Sequence, residues 1–123
     1  MRQGKLRNLL HSTVPALAAA AVGKLLSGER TRPGGRPISR IIAHGGGRDV
    51  LDAIEQSCAG YDLVASRQVL RECGNMSSPS VLFVLEEHLR THPVPAGDLW
   101  LASFGAGFSA HACRLTPGPP APA

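Results

Sequence analysis

Val81, Leu82, Phe83, Val84 and Leu85 form an unbroken apolar run, with Leu89 one turn further on and Ser78–Pro79 placed to open a helix. A helix over 79–90 is then apolar on nearly every side in its first half, which is expected only deep between two layers. That expectation sets a demand on size. A chain of 123 residues buries roughly two-thirds of its unfolded surface, so it folds alone only if it owns both sides of such a core. At 43% apolar and 18% charged, it has the composition of one globular domain and not of a disordered segment.

Periodicity supplies the other elements. Lys5–Leu10 reads as a short strand near 5–10, and Thr13, Val14 and Pro15 open a helix near 14–27 that stops at Gly28. Pro33, Gly34, Gly35 and Pro37 mark a loop, and Ile38–Ala43 a buried strand. After His44 and three glycines, Val50, Leu51, Ile54 and Cys58 share one face of a helix near 48–58. Ser66 suits the N-cap of a helix over 66–73 ending at Gly74, in which Val69, Leu70 and Cys73 pack inward. Strands near 98–104 and 108–115 are joined by a tight antiparallel connection at Gly105, Ala106 and Gly107. Thr116–Ala123, with four prolines in eight residues, reads as a disordered tail.

Several function classes fall away. No apolar run approaches the ~20 residues that span a bilayer. The basic start followed by Val14–Val22 superficially resembles a signal peptide, but His11, Ser12 and Thr13 interrupt it and the apolar pattern continues past Lys24, so it is read as a helix. Residues 1–48 carry nine Lys/Arg against the single acid Glu29, and 49–123 carry four against eight. Those charges lie largely in a Pro/Gly-rich stretch, and one Trp, one Tyr and three Phe offer little stacking, so a solvated basic loop is favoured over nucleic-acid binding. Cys58, Cys73 and Cys113 are odd in number and widely spaced, which fits neither a disulfide framework nor a zinc site and makes a reducing, cytoplasmic setting the default.

Three loops sit at the ends of buried elements: His44 with its glycines, Asn75, and the Gly105–Gly107 turn. A histidine at a strand end, followed by glycines that open a helix, can place an imidazole donor beside free backbone N–H groups, where an oxyanion can develop. On spacing alone His44 is more often a satisfied structural histidine and Asn75 more often a helix-terminus residue. The glycines match neither GxGxxG nor GxxxxGK[ST].

The runs IIAHGGGRDVLDAIEQ, SRQVLRECGNMSSPSVLFVLEE and GDLWLASFGAGFSAHACRL resemble, in order and spacing over about 38–115, the C-terminal half of chalcone/stilbene-type (type III) polyketide synthases. The Gly-Asn-Met-Ser-Ser block and the helix after it are the most specific part. The resemblance implies an α/β fold, a thiolase-like C-terminal half-domain with a mixed sheet covered by helices. It implies an acyltransferase that extends an acyl thioester with malonyl-CoA by decarboxylative Claisen condensation, with coenzyme A thioesters as substrates and no metal or resident cofactor. By position His44 and Asn75 match the catalytic histidine and asparagine; Gly46 and Gly47 would lie against the pantetheine arm, and Ser77, Phe104, Gly105 and Gly107 would border the acyl cavity.

The chain departs from the pattern in places. Gly45 and Ala106 stand where the family has prolines, and Cys73 where it commonly has tyrosine, read here as a packing residue. The nucleophilic cysteine belongs to the family's N-terminal half, and none of the three cysteines matches its context. The expected layout is an N-terminal segment 1–37, a synthase-like domain 38–115 and a tail 116–123. The chemistry is expected to be incomplete in this chain, with acyl-CoA and malonyl-CoA as substrates and an N-terminal synthase half or a second copy as partner. The alternative is a non-catalytic remnant or dimerisation module of the same fold. Either way, a half-domain should expose an apolar face.

Overall fold

The computed structural model describes residues 13–30, 33–34, 36–92, 97–105 and 109–118. The expected strand near 5–10, Ala106, Gly107 and the last five residues of the tail lie outside them. The elements run α1 (Val14–Arg30), β1 (Ile38–Ala43), α2 (Arg48–Ser57), α3 (Val64–Cys73), α4 (Ser80–Thr91), β2 (Asp98–Gly105) and β3 (Ser109–Leu115).

Strand order is β1-β2-β3; β1 pairs with β2 in parallel and β2 with β3 antiparallel, so the sheet is mixed. The parallel pair needs a long crossover, which α2, α3 and α4 supply. Side chains alternate across a strand, and the two faces are legible residue by residue. Ile41, Ala43, Trp100, Ala102 and Phe104 pack with Ala18, Val22 and Leu26 of α1 and Val50, Leu51 and Ile54 of α2. Ile42, Leu99 and Leu101 face the other way, onto Val69 of α3 and Val84 of α4. The sheet is thus covered by a helix pair on each face.

Four expectations change. The first helix runs through Gly28 to Arg30. A glycine inside a helix costs about 1 kcal/mol, and tertiary contacts of the last turn offset it: Glu29 accepts from Arg114 Nε at 3.0 Å, and the Arg30 guanidinium lies 5.2 Å above the Tyr61 ring. The third helix begins at Val64, so Ser66 is not its N-cap but a buried residue inside it. Cys73 is exposed, whereas Cys58, at the foot of α2, is enclosed in the core. Burial pushes the Cys58 thiol above its ordinary value, with a smaller opposing influence from Arg30.

The fourth change concerns α4. Only Ser80, Val84 and His88 are fully buried on it, while Leu82 is 62% and Phe83 45% exposed and Leu89 is exposed as well. The helix meets the sheet with one face only, and the run Val81–Leu85 has a second apolar face that nothing among the described residues covers.

His88 is enclosed at the far end of α4 with its ring stacked on His92, centroids 4.7 Å apart. Burial lowers its pKa from the ordinary 6.5, His92 and Arg40 push the same way, and Asp62 opposes them. The unfolded chain therefore binds this proton at a higher pH than the folded one, so stability is complete above about 6.5 and falls as the pH drops through that value toward the folded pKa. Thermal midpoints from pH 7.5 to 5 should decline, and His88→Met should flatten that part of the decline; an equal slope in the variant would contradict the assignment.

Candidate active site

β1 ends at Ala43, and the His44 N–H continues the ladder by donating to Ala102 O at 2.9 Å. The backbone of His44 is thereby an extension of the sheet, and its side chain is 3% exposed. Its Nδ1 lies 3.1 Å from Phe104 O, and its ring stands 4.5 Å from the Phe104 ring at 32°. Its Nε2 lies 3.1 Å from Asn75 Oδ1.

Asn75 arrives from the end of α3. The C-terminus of α3 is closed by Gly74, whose N–H donates to Leu70 O at 3.0 Å and whose φ of +72° turns the chain. Its side chain is then oriented on both ends: Oδ1 accepts from Ser77 N–H at 2.8 Å and Nδ2 donates to Gly46 O at 3.4 Å. Ser77 holds a left-handed φ of +63°, unusual for a residue with a side chain. Met76 N–H donates to the buried Ser80 Oγ at 3.0 Å, which ties this loop to the first turn of α4.

Each nitrogen of the imidazole faces an acceptor. Phe104 O lies at Nδ1 and Asn75 Oδ1 at Nε2, and the Asn75 amide is oriented by Ser77 and Gly46; which nitrogen donates follows from the tautomer. The site therefore presents a buried imidazole meeting an exposed amide.

The glycines after His44 have separate reasons. A Cβ on Gly46 would stand 2.8 Å from Phe104 Cε2, and Gly47 has φ +138° just before α2. Gly45, by contrast, would bring a Cβ to 3.5 Å from Leu70 Cβ, an ordinary contact. Gly46→Ala should displace the ring and with it the carbonyl that holds His44, costing about 1–3 kcal/mol, whereas Gly45→Ala should be nearly neutral. Denaturant midpoints of the two variants check this, and equal midpoints would contradict it.

The structure thus brings His44, Asn75, Gly46 and Phe104 into one cluster. Ser77 joins through its backbone, Gly47 follows at the entrance to α2, and Gly105 closes β2 beside the Ser78 hydroxyl. Gly107 lies outside the described residues. Two holders of His44 escaped the sequence reading. One is the Phe104 carbonyl, the other the Ser66 hydroxyl, which donates to Ala43 O at 2.8 Å. Ser66 shares the inward face of α3 with Val69 at spacing i, i+3, and that was the available signal. Among the described residues no group of three His, Cys, Asp or Glu side chains could hold a metal ion, and no helix is long and apolar enough to cross a membrane.

A mixed sheet between helix pairs, with a histidine at the end of one strand, is the C-terminal half of a thiolase-like fold. The sequence matches the model of the chalcone and stilbene synthase C-terminal domain over residues 7–109, and the chain belongs to that family. It is similar to a chalcone synthase-like protein of Bacillus subtilis (strain 168), 36% identical over 75 residues that make up 58% of this chain and 20% of that one. It superposes on 1,3,6,8-tetrahydroxynaphthalene synthase of Streptomyces coelicolor A3(2), a bacterial type III polyketide synthase, with a TM-score of 0.70 and 30% identity, covering 86% of this chain and 32% of that one. The C-terminal type III polyketide synthase domain of Steely1 from Dictyostelium gives a TM-score of 0.71 at 24% identity, covering 87% and 32%. The chain therefore spans about a fifth to a third of these relatives.

Proposed function

We propose that this chain supplies the decarboxylating donor pair of a type III polyketide synthase, and that a cysteine from a nucleophile-bearing N-terminal half completes the site. The observation that carries the reading is the meeting of His44 Nε2 and the Asn75 amide oxygen 3.1 Å apart at the end of one strand. A malonyl thioester carbonyl that displaces Asn75 Oδ1 from the Nε2–H, and accepts the Nδ2 proton of Asn75 not given to Gly46 O, receives two hydrogen bonds. When the C–C bond to the carboxylate breaks, CO2 leaves and its bonding pair becomes an enolate with charge on that oxygen. Donors already in place favour this transition state over the ground state. The enolate carbon then attacks an acyl thioester on the cysteine, forming the new C–C bond and releasing the thiolate. Coenzyme A thioesters are the substrate class, and these steps call on no resident cofactor.

The nucleophile is assigned elsewhere because the three cysteines here are unsuited to the task. Cys58 is enclosed with its thiol pushed up, Cys73 and Cys113 are exposed, and none is a hydrogen-bond partner of His44. The open face of α4 supports a partner that packs there, and the free thiols fit a reducing, cytoplasmic compartment. That same face favours the rival reading, a non-catalytic interaction module. Intact-mass spectrometry after incubation with acyl-CoA separates the possibilities: no adduct on the isolated chain, and an adduct confined to the partner's cysteine in the mixed pair. An adduct on Cys58, Cys73 or Cys113 would overturn the assignment, and a pair that assembles but is never acylated would support the rival.

A further inference from the structure

Helix α3 touches the peptide on either side of His44 and also delivers Asn75. Ser66, 1% exposed, donates its hydroxyl at 2.8 Å to Ala43 O, the carbonyl of the peptide bond that enters His44. A serine inside a helix ordinarily bonds back to its own preceding turn, but this one reaches across to the strand. One turn later Leu70 lies against Gly45, the residue leaving His44, and Leu70 O also receives the Gly74 N–H that closes the helix before Asn75. From Ser66 to Cys73 the helix advances about 10 Å at 1.5 Å per residue, a length no loop could hold as rigidly. Arg67, the next residue, pairs with Glu55 and with Asp52 at 2.8 Å, which fastens α3 to α2 and so to the far side of the glycine turn.

We propose that Ser66 is a positioning residue for the donor pair, with α3 as the spacer that sets the distance between His44 and Asn75. The hydroxyl fixes the peptide plane before His44, and the helix carries that constraint to the cap that releases Asn75. Ser66→Ala leaves Ala43 O, a buried acceptor, without this partner and lets the imidazole drift from Asn75 Oδ1. Ser66→Thr keeps the hydroxyl. The catalytic consequence rests on the donor-pair reading above, whereas the geometric one does not.

The test therefore has two readouts. The first is taken on the whole 123-residue chain, by long-range 1H–15N spectra of the His44 ring. Ser66→Ala should shift both ring nitrogens and speed exchange of the ring N–H protons by about tenfold, and Ser66→Thr should restore the native spectrum. The second uses the chain paired with a nucleophile-bearing half: Ser66→Ala should lower kcat for malonyl-CoA decarboxylation by about 10- to 100-fold, with KM unchanged and Ser66→Thr close to native. Circular dichroism on all three proteins confirms that the comparison is between folded chains; if the alanine variant does not fold, Ser66→Cys, of similar volume with a weak donor, replaces it. Unchanged His44 signals in a folded Ser66→Ala or Ser66→Cys chain would overturn the proposal, whatever its activity. Altered signals with a pair inactive even in its native form would overturn the donor-pair reading and leave the positioning role standing.

Discussion

Replacing His44 or Asn75 by alanine should lower malonyl-CoA decarboxylation by the assembled pair by on the order of 10²-fold or more, the usual loss when one preplaced oxyanion donor is removed. The two variants should differ at the step before. His44 is enclosed, contacts Phe104 with both ring and Nδ1, and offers an imidazole that can support a thiolate; Asn75 is exposed and offers an amide only. Acylation of the partner's cysteine should survive Asn75→Ala better than His44→Ala. Rates of CO2 release and of acyl transfer, measured separately, check both halves of the expectation, and unchanged decarboxylation in both variants would refute the donor assignment.

The second large effect is expected at the open face of α4. Leu82 and Phe83 are 62% and 45% exposed and adjacent in sequence, with Leu89 further along the same helix. Apolar patches of this kind mark protein–protein surfaces or aggregation sites. The isolated chain should self-associate at tens of micromolar, on the order at which such patches drive association. Replacing both Leu82 and Phe83 by Glu should reduce self-association without unfolding the chain, since neither side chain is in the core, and should abolish assembly with a nucleophile-bearing half. Sedimentation of the native and doubly substituted chains, alone and mixed, reads both. A native chain that stays monomeric, or a doubly substituted chain that still assembles, would contradict this account of the face.

The same helix shows where the sequence stops being informative. An apolar run such as Val81–Leu85 reports that both of its faces need cover, yet among the described residues the core receives only Val84 with the partly buried Val81 and Leu85 and leaves Leu82 and Phe83 exposed, so a demand was legible and its supplier was not. Ile38–Ala43 could be read directly as a buried strand because apolar residues from both faces of the sheet follow one another in it, and both faces are filled from this chain. Ser66 was misplaced for a different reason. Serine is common at N-caps, and only the tertiary approach of Ala43 O shows that its hydroxyl serves the strand instead. Gly28 reads as a stop until Glu29 and Arg30 find Arg114 and Tyr61, one of which lies 85 residues away along the chain. Local spacing puts both Cys58 and Cys73 on an inward face, but only Cys58 closes over the core, because α3 ends with Cys73 at its exposed tip. His44 and Asn75 were legible as residues because the runs around them are distinctive. Their mutual geometry was not, since it depends on the Ser77 backbone and the Phe104 carbonyl.

The most direct measurement is release of labelled CO2 from carboxyl-labelled malonyl-CoA by this chain, by a nucleophile-bearing N-terminal half, and by the two together. The account predicts release by the assembled pair and only background from either part, because the donors His44 and Asn75 reside here and the acyl-bearing cysteine resides on the partner. Release by the N-terminal half alone at the rate of the pair, or none from a pair shown to assemble, would contradict it.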